Sequence, residues 1–164
     1  MKKILFLLVY IIAGASSALM MNAYADDTAS KSELKTPESA SVYSTEGKFA
    51  DAKEDLLASI AANGLVVSYT SHAKTMLENT AAVAGVTTPV YDDAEIVLFC
   101  KADLSHALVA ENPHNIVLCP YAIAIYVLHN EPERVYLSFR EPEASVTATK
   151  PIRELLVKII EEVI

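Results

Sequence analysis

Cys100 and Cys119 are the only thiols in this 164-residue chain, and sulfur is the element here best suited to redox or metal chemistry. Three fates are open to the pair: a structural disulfide, two separate thiols packed in a core, or a functional couple. An even cysteine count suits a disulfide wherever the compartment is oxidising. A bridge closing a loop of this size stabilises by about 3 kcal/mol in the chain-entropy account. Strand geometry separates the fates. If the flanking strands pair antiparallel and Cys119 lies several residues inside the second, the two Cα atoms are about 10 Å apart at ~3.3 Å per residue. A disulfide tolerates only about 7 Å. If a helix between them makes a crossover, the strands run parallel, both cysteines sit near C-terminal strand ends, and bridging is easy.

A functional couple draws in His72 and Met76, which are four apart and share one face if they lie on a helix. Two thiolates, an imidazole and a thioether suit Cu(I), and thiolates with imidazole also suit zinc. Cys100, Cys119, His72 and Met76 are therefore the candidate metal ligands, although the chain requires no cofactor. The spacing argues for restraint. No C-x-x-C or H-x-x-x-H pattern is present, Met76 is of a kind that fills a core, and a histidine at a helix start is commonly exposed. Cys119-Pro120 lacks the nearby second thiol of a thioredoxin-like motif. Asp103, Ser105 and His106 invite comparison with a hydrolytic triad, but they crowd one helix start, where Asp103 reads as the N-cap. The glycines are Gly14, Gly47, Gly64 and Gly85, which leaves no glycine-rich phosphate loop. No catalytic residue is assigned, and a non-catalytic binding or interaction module is the reading these absences favour.

The N-terminus indicates the compartment. Lys2 and Lys3 precede the uncharged apolar run Ile4 to Ala13, and Ala23-Tyr24-Ala25 stands directly before Asp26. This is the pattern of a secretory signal peptide over 1–25 with an A-x-A cleavage site. An uncleaved anchor over Ile4 to Met21 is the rival, but Gly14, Ser16 and Ser17 interrupt it. The expected location is the periplasm, with no stable membrane insertion after cleavage. Cleavage leaves 164 − 25 = 139 residues, enough for one domain. It also removes two lysines and no acids, so 13 − 2 = 11 basic face 21 acidic side chains, a formal charge of −10. Such a surface repels phosphate backbones and anionic headgroups. Nucleic acid is not an expected partner; a basic protein, a cation or a neutral small molecule is easier to accommodate.

Residues 26–40 are polar with Leu34 as their one large apolar side chain, the composition of a disordered linker. The domain is expected over 41–164. Val42 and Tyr43 suggest a short strand, and Phe49, Ala52, Leu56, Leu57 and Ile60 line one face of a helix from Glu46 to Asn63 that Gly64 ends. Leu65 to Thr70 reads as a strand and His72 to Ala84 as a weaker helix with Met76, Leu77, Thr80 and Val83 on one side. Ala94 to Cys100 is apolar enough for a central strand covered on both faces. A short helix from Leu104 to Glu111 follows. Asn115 to Leu128 is too long and apolar for one strand, and Pro120 demands a bulge, kink or edge within it. Arg134 to Phe139 returns as a hairpin partner, and a last helix opens at Pro151 with Ile152, Leu155, Leu156, Ile159 and Val163 as its stripe. The class is α+β, an antiparallel or mixed sheet with its helices mainly on one face.

A set of residues within this frame carries a resemblance: His72-x-x-x-Met76-Leu77-x-x-Thr80, Tyr91, Phe99-Cys100-x-Ala102-x-Leu104-Ser105, Asn115-Ile116-Val117-x-Cys119-Pro120-Tyr121, Ile125-Tyr126-Val127, Val135-Tyr136 and Arg140. Together they resemble the secreted, cysteine-containing branch of the bacterial family named domain of unknown function 302, over roughly Val42 to Ile164. The resemblance implies a fold like that of the TATA-binding protein, strand, helix, four strands, helix, with the two weak helices as insertions. It implies a homodimer and a setting in sulfur or redox metabolism. It does not imply DNA binding, since the charge has the wrong sign, and the family carries no established reaction.

Overall fold

Apolar periodicity builds the two helices that hold the domain together. In the computed structural model, which describes residues 39–164, α1 (Phe49–Ala62) buries Ala52, Leu56, Ser59 and Ile60, and α4 (Lys150–Glu161) buries Ile152, Leu156, Ile159 and Ile160. Each set recurs at three- and four-residue intervals, so each helix shows the sheet a single apolar stripe. Ser59 is the polar member, and its hydroxyl donates to Glu162 Oε2 at 2.6 Å, tying α1 to the end of α4. Pro151 occupies the first turn of α4, where its missing N–H costs no helical bond. The expected signal peptide, 1–25, and all of the expected linker, 26–40, except Ser39 and Ala40 lie outside the described residues. Among the described residues no helix is long and apolar enough to cross a membrane.

The helices cover a five-stranded sheet of β1 (Ala40–Glu46), β2 (Val66–Ser71), β3 (Tyr91–Cys100), β4 (Tyr121–Leu128) and β5 (Arg134–Arg140), in the order β1-β5-β4-β3-β2. Every pairing is antiparallel, so the mixed alternative drops out. With α2 (Ala73–Ala84) inserted before β3 and α3 (Ala102–Glu111) after it, the remaining order is strand, helix, four strands, helix, as the family resemblance implies. β4 is the central strand. It alternates strictly, with Tyr121, Ile123, Ile125 and Val127 buried against the α1 and α4 stripes.

One local expectation is sharpened and three are corrected. The apolar run Asn115 to Leu128 is not one element: Pro113–Leu118 coils as a 3-10 helix, the Cys119-Pro120 peptide is cis, and β4 begins only at Tyr121. β3 is an inner strand but not the centre, and only Ala94, Val97 and Phe99 of it are buried, so its second face is half-covered. α2 buries no residue at all, and Met76, which reads as core-filling by type, is 55% exposed. Periodicity marks an amphipathic helix without saying whether anything covers it. Finally, α3 starts at Ala102 with Lys101 in the N-cap position, and Asp103 lies inside the first turn, where its carboxylate accepts the Leu104 N–H at 2.9 Å.

Candidate functional site

The residues able to do chemistry meet where β3 ends and β4 begins. The ladder between these strands closes at Phe99↔Tyr121, which sets Cys100 opposite Pro120 and makes Cys119 its diagonal neighbour. With ~5 Å between strands and ~3.3 Å along them, the two Cα atoms fall about 6 Å apart, inside the disulfide range. The separation of ~10 Å expected for antiparallel strands is therefore overturned. That value placed Cys119 well inside the second strand, whereas the 3-10 turn takes up the residues before it and leaves it just ahead of β4.

Both cysteines are free thiols, Cys100 exposed and Cys119 half-buried against the core. The Cys119 side chain and the Tyr121 backbone N–H both lie close enough to the Cys100 sulfur to act on its thiol. From the first turn of α3, Ser105 brings its Oγ to 3.4 Å from Cys119 Sγ and 3.3 Å from Tyr121 Oη. The Tyr121 ring stands edge-on to Phe99, centroids 6.4 Å apart, which fixes the phenol. Partial burial pushes the Cys100 thiol up, the charge and hydrogen bond of Cys119 push it further, and the Tyr121 N–H opposes them without prevailing. Burial first, and then the neighbouring thiols, push the Tyr121 phenol up to about 12 against the opposing bond from Ser105. At neutral pH it is an uncharged hydroxyl.

His72 and Met76 lie elsewhere. His72 occupies the N-cap position of α2, with Nδ1 3.2 Å from Glu95 Oε1, and Lys53 Nζ meets the other oxygen of Glu95 at 2.7 Å. Glu95 is five residues before Cys100 on β3, about 16 Å away at ~3.3 Å per residue. A metal ion holds its ligands at roughly 2.0–2.3 Å, so no single ion joins His72 to the cysteines. Among the described residues no group of three or more His, Cys, Asp or Glu side chains is placed to hold a metal.

A cleft adjoins the thiol corner. β4 and β5 pair only from Ala124↔Ser138 to Val127↔Val135, while β5 stays paired with β1 as far as Arg140 and β4 with β3 as far as Tyr121. Past Ala124 the two inner strands are no longer laddered to each other. The gap is part of a cleft of about 700 Å³ lined by Ile96, Pro120, Ala122, Ala124, Ser138 and Arg140, among others. The second face of the sheet continues from it. There Tyr126 stacks on Tyr136 with centroids 5.3 Å apart and meets the edge of Tyr91 at 5.5 Å. Tyr121 and Tyr126 thus take opposite faces, as their odd spacing requires. Glu131, in the turn before β5, accepts the Tyr136 hydroxyl at 2.5 Å.

Glu141 closes the other side of the cleft. Its carboxylate accepts Arg153 Nε at 2.8 Å and Nη2 at 3.0 Å as well as the Ser41 hydroxyl. Burial pushes this carboxyl up, but the Arg153 and Ser41 hydrogen bonds and the guanidinium charge together outweigh it, so the group sits below its ordinary value. A carboxyl depressed by folding stabilises the native state at pH above its unfolded value and loses that contribution as acid protonates the folded form. Thermal unfolding of the wild type is expected to show this loss between neutral and acid pH. Glu141→Gln should flatten that part of the profile, and an unchanged profile would count against the ion pair.

Sequence reasoning reached the two cysteines but missed Ser105 and Tyr121 as their companions. The signal was present in the family-like segments Phe99 to Ser105 and Asn115 to Tyr121, both of which end in this corner. A family model described as "Domain of unknown function DUF302" matches residues 40–163. A crystal structure of an uncharacterized conserved DUF302 protein from Bacillus stearothermophilus is similar to this chain, with a TM-score of 0.65, 12% identity, and coverage of 78% of this chain and 100% of that one. At that identity the likeness speaks for the fold alone. No curated protein matches. The matched span is most of the chain, and the chain belongs to the DUF302 family.

Proposed function

We propose that this DUF302 protein is a non-catalytic binding module that acts in the periplasm after loss of residues 1–25 and takes a small ligand with an apolar body into the cleft between β4 and β5. The observation that carries the reading is the parting of these two strands beyond Ala124↔Ser138 inside an otherwise continuous sheet. Ligand sites are concave and mostly apolar, with a few polar groups that set orientation. Ile96, Pro120, Ala122 and Ala124 supply the apolar wall, and Ser138 and Arg140 the polar groups. The adjoining face, with Leu98 and Tyr126, is the surface on which a second copy would pair.

The dye anilinonaphthalene sulfonate, which brightens in apolar sites, is a direct probe. Ala122→Trp fills the cleft and should abolish most of the brightening while leaving the melting temperature close to that of the wild type. Equal binding by a folded Ala122→Trp protein would sink the cleft as the site. Sedimentation showing a monomer at every concentration would remove the pairing, and an intact mass that retains Met1 would remove the export.

A further inference from the structure

The reduced thiol corner is complete without a bridge, because the ladder reaches Phe99↔Tyr121 and the core is closed with both sulfurs free. Bridging would need little movement, because the register that closes at Phe99↔Tyr121 puts the Cα atoms at about disulfide separation and the Cys119 side chain is near enough to act on the Cys100 thiol. The two sulfurs are also unequal. Cys100 is open to solvent, and Cys119 is half-buried, with the Ser105 hydroxyl 3.4 Å from its sulfur. An exposed disulfide beside an accessible sulfur belongs to the labile kind that exchanges rather than the kind that staples a fold.

We propose that Cys100 and Cys119 form a reversible dithiol/disulfide couple that exchanges two electrons with an external disulfide, Cys100 attacking and Cys119 resolving. In the first step the Cys100 thiolate attacks one sulfur of RSSR, so a Cys100–SR bond forms, the S–S bond of RSSR breaks, and RS⁻ departs to take up the proton Cys100 lost. In the second, the Cys119 thiolate attacks Cys100 Sγ, the Cys100–Cys119 bond forms, the Cys100–SR bond breaks, and the second RS⁻ takes up the proton from Cys119. The protein gives up two electrons and two protons, and RSSR leaves as two RSH. The Tyr121 N–H stabilises the attacking thiolate at Cys100. The net upward push on this thiol makes the first step accelerate as pH rises. The couple is independent of whether the cleft binds a ligand, since dye brightening does not involve sulfur.

The purified native protein treated with oxidised glutathione should become two hydrogens lighter with no adduct retained, and dithiothreitol should restore both thiols without denaturant. Intact insulin, whose two chains are joined by disulfides, supplies the protein-disulfide arm. Reaction with either oxidant supports the couple, and the faster one tells a small disulfide from a protein one. Cys119→Ser should stop at a glutathione adduct on Cys100, located by peptide mass, and Cys100→Ser should react at least tenfold more slowly. Two titratable thiols that persist in the wild type under excess of both oxidants would overturn the proposal. So would a bridge that dithiothreitol reduces only after unfolding.

Discussion

Phe99→Ala is expected to destabilise the domain by about 3–5 kcal/mol, the usual cost of removing a buried aromatic ring. Phe99 has no exposed surface, pairs with Val67 on β2 and Tyr121 on β4, and supports the Tyr121 ring edge-on. Truncation removes the transfer energy of the ring and opens a cavity among side chains fixed by two ladders, which limits how far they can collapse to fill it. Urea unfolding should show the midpoint falling with an unchanged slope. The same variant should loosen the thiol corner, because Tyr121 holds Ser105 and Ser105 holds Cys119, so native Cys119 should react faster with thiol reagents. A cost under about 1 kcal/mol, typical of a surface change rather than a core cavity, would mean that the ring is not the support described.

How much of this was legible in the chain depends on whether the signal was local. The α1 and α4 stripes and the alternation of Tyr121, Ile123, Ile125 and Val127 follow from periodicities of 3.6 and 2, which any window of sequence displays. Pro120 announced a break in the apolar run, and the break is there. The thiol pairing was not legible, because it turns on where β4 starts. A shift of one residue moves every side chain to the other face, and nothing local says that the six residues Pro113–Leu118 coil up before the strand. His72 stands apart from the cysteines for a related reason. Its partner Glu95 is set by the β2–β3 register, with Ser71 opposite Ile96, and that register holds it away from the cysteines. α2 shows the limit of amphipathicity, since Met76, Leu77, Thr80 and Val83 line one side at helical spacing and the three apolar members remain exposed.

Leu56→Ala and Leu156→Ala should each destabilise by about 2–5 kcal/mol. Leu56 of α1 is fully buried and Leu156 of α4 is 3% exposed, and both belong to the one cluster that joins the helices to β3, β4 and β5. Because the two helices also share the Ser59 contact to Glu162, neither cavity is walled by the sheet alone. A first truncation lets the opposite helix settle toward the gap, so a second finds a cluster already relaxed. The double variant should therefore cost less than the sum of the singles, with a coupling of 0.5 kcal/mol or more, as residues around a shared cavity commonly show. Chemical denaturation of the four proteins closes the cycle. Strict additivity would mean that α1 and α4 pack on the sheet as separate units. The sheet would then keep its grip on each helix independently, and damage under α4, whose Ile152 and Leu156 line the cleft, would leave α1 undisturbed.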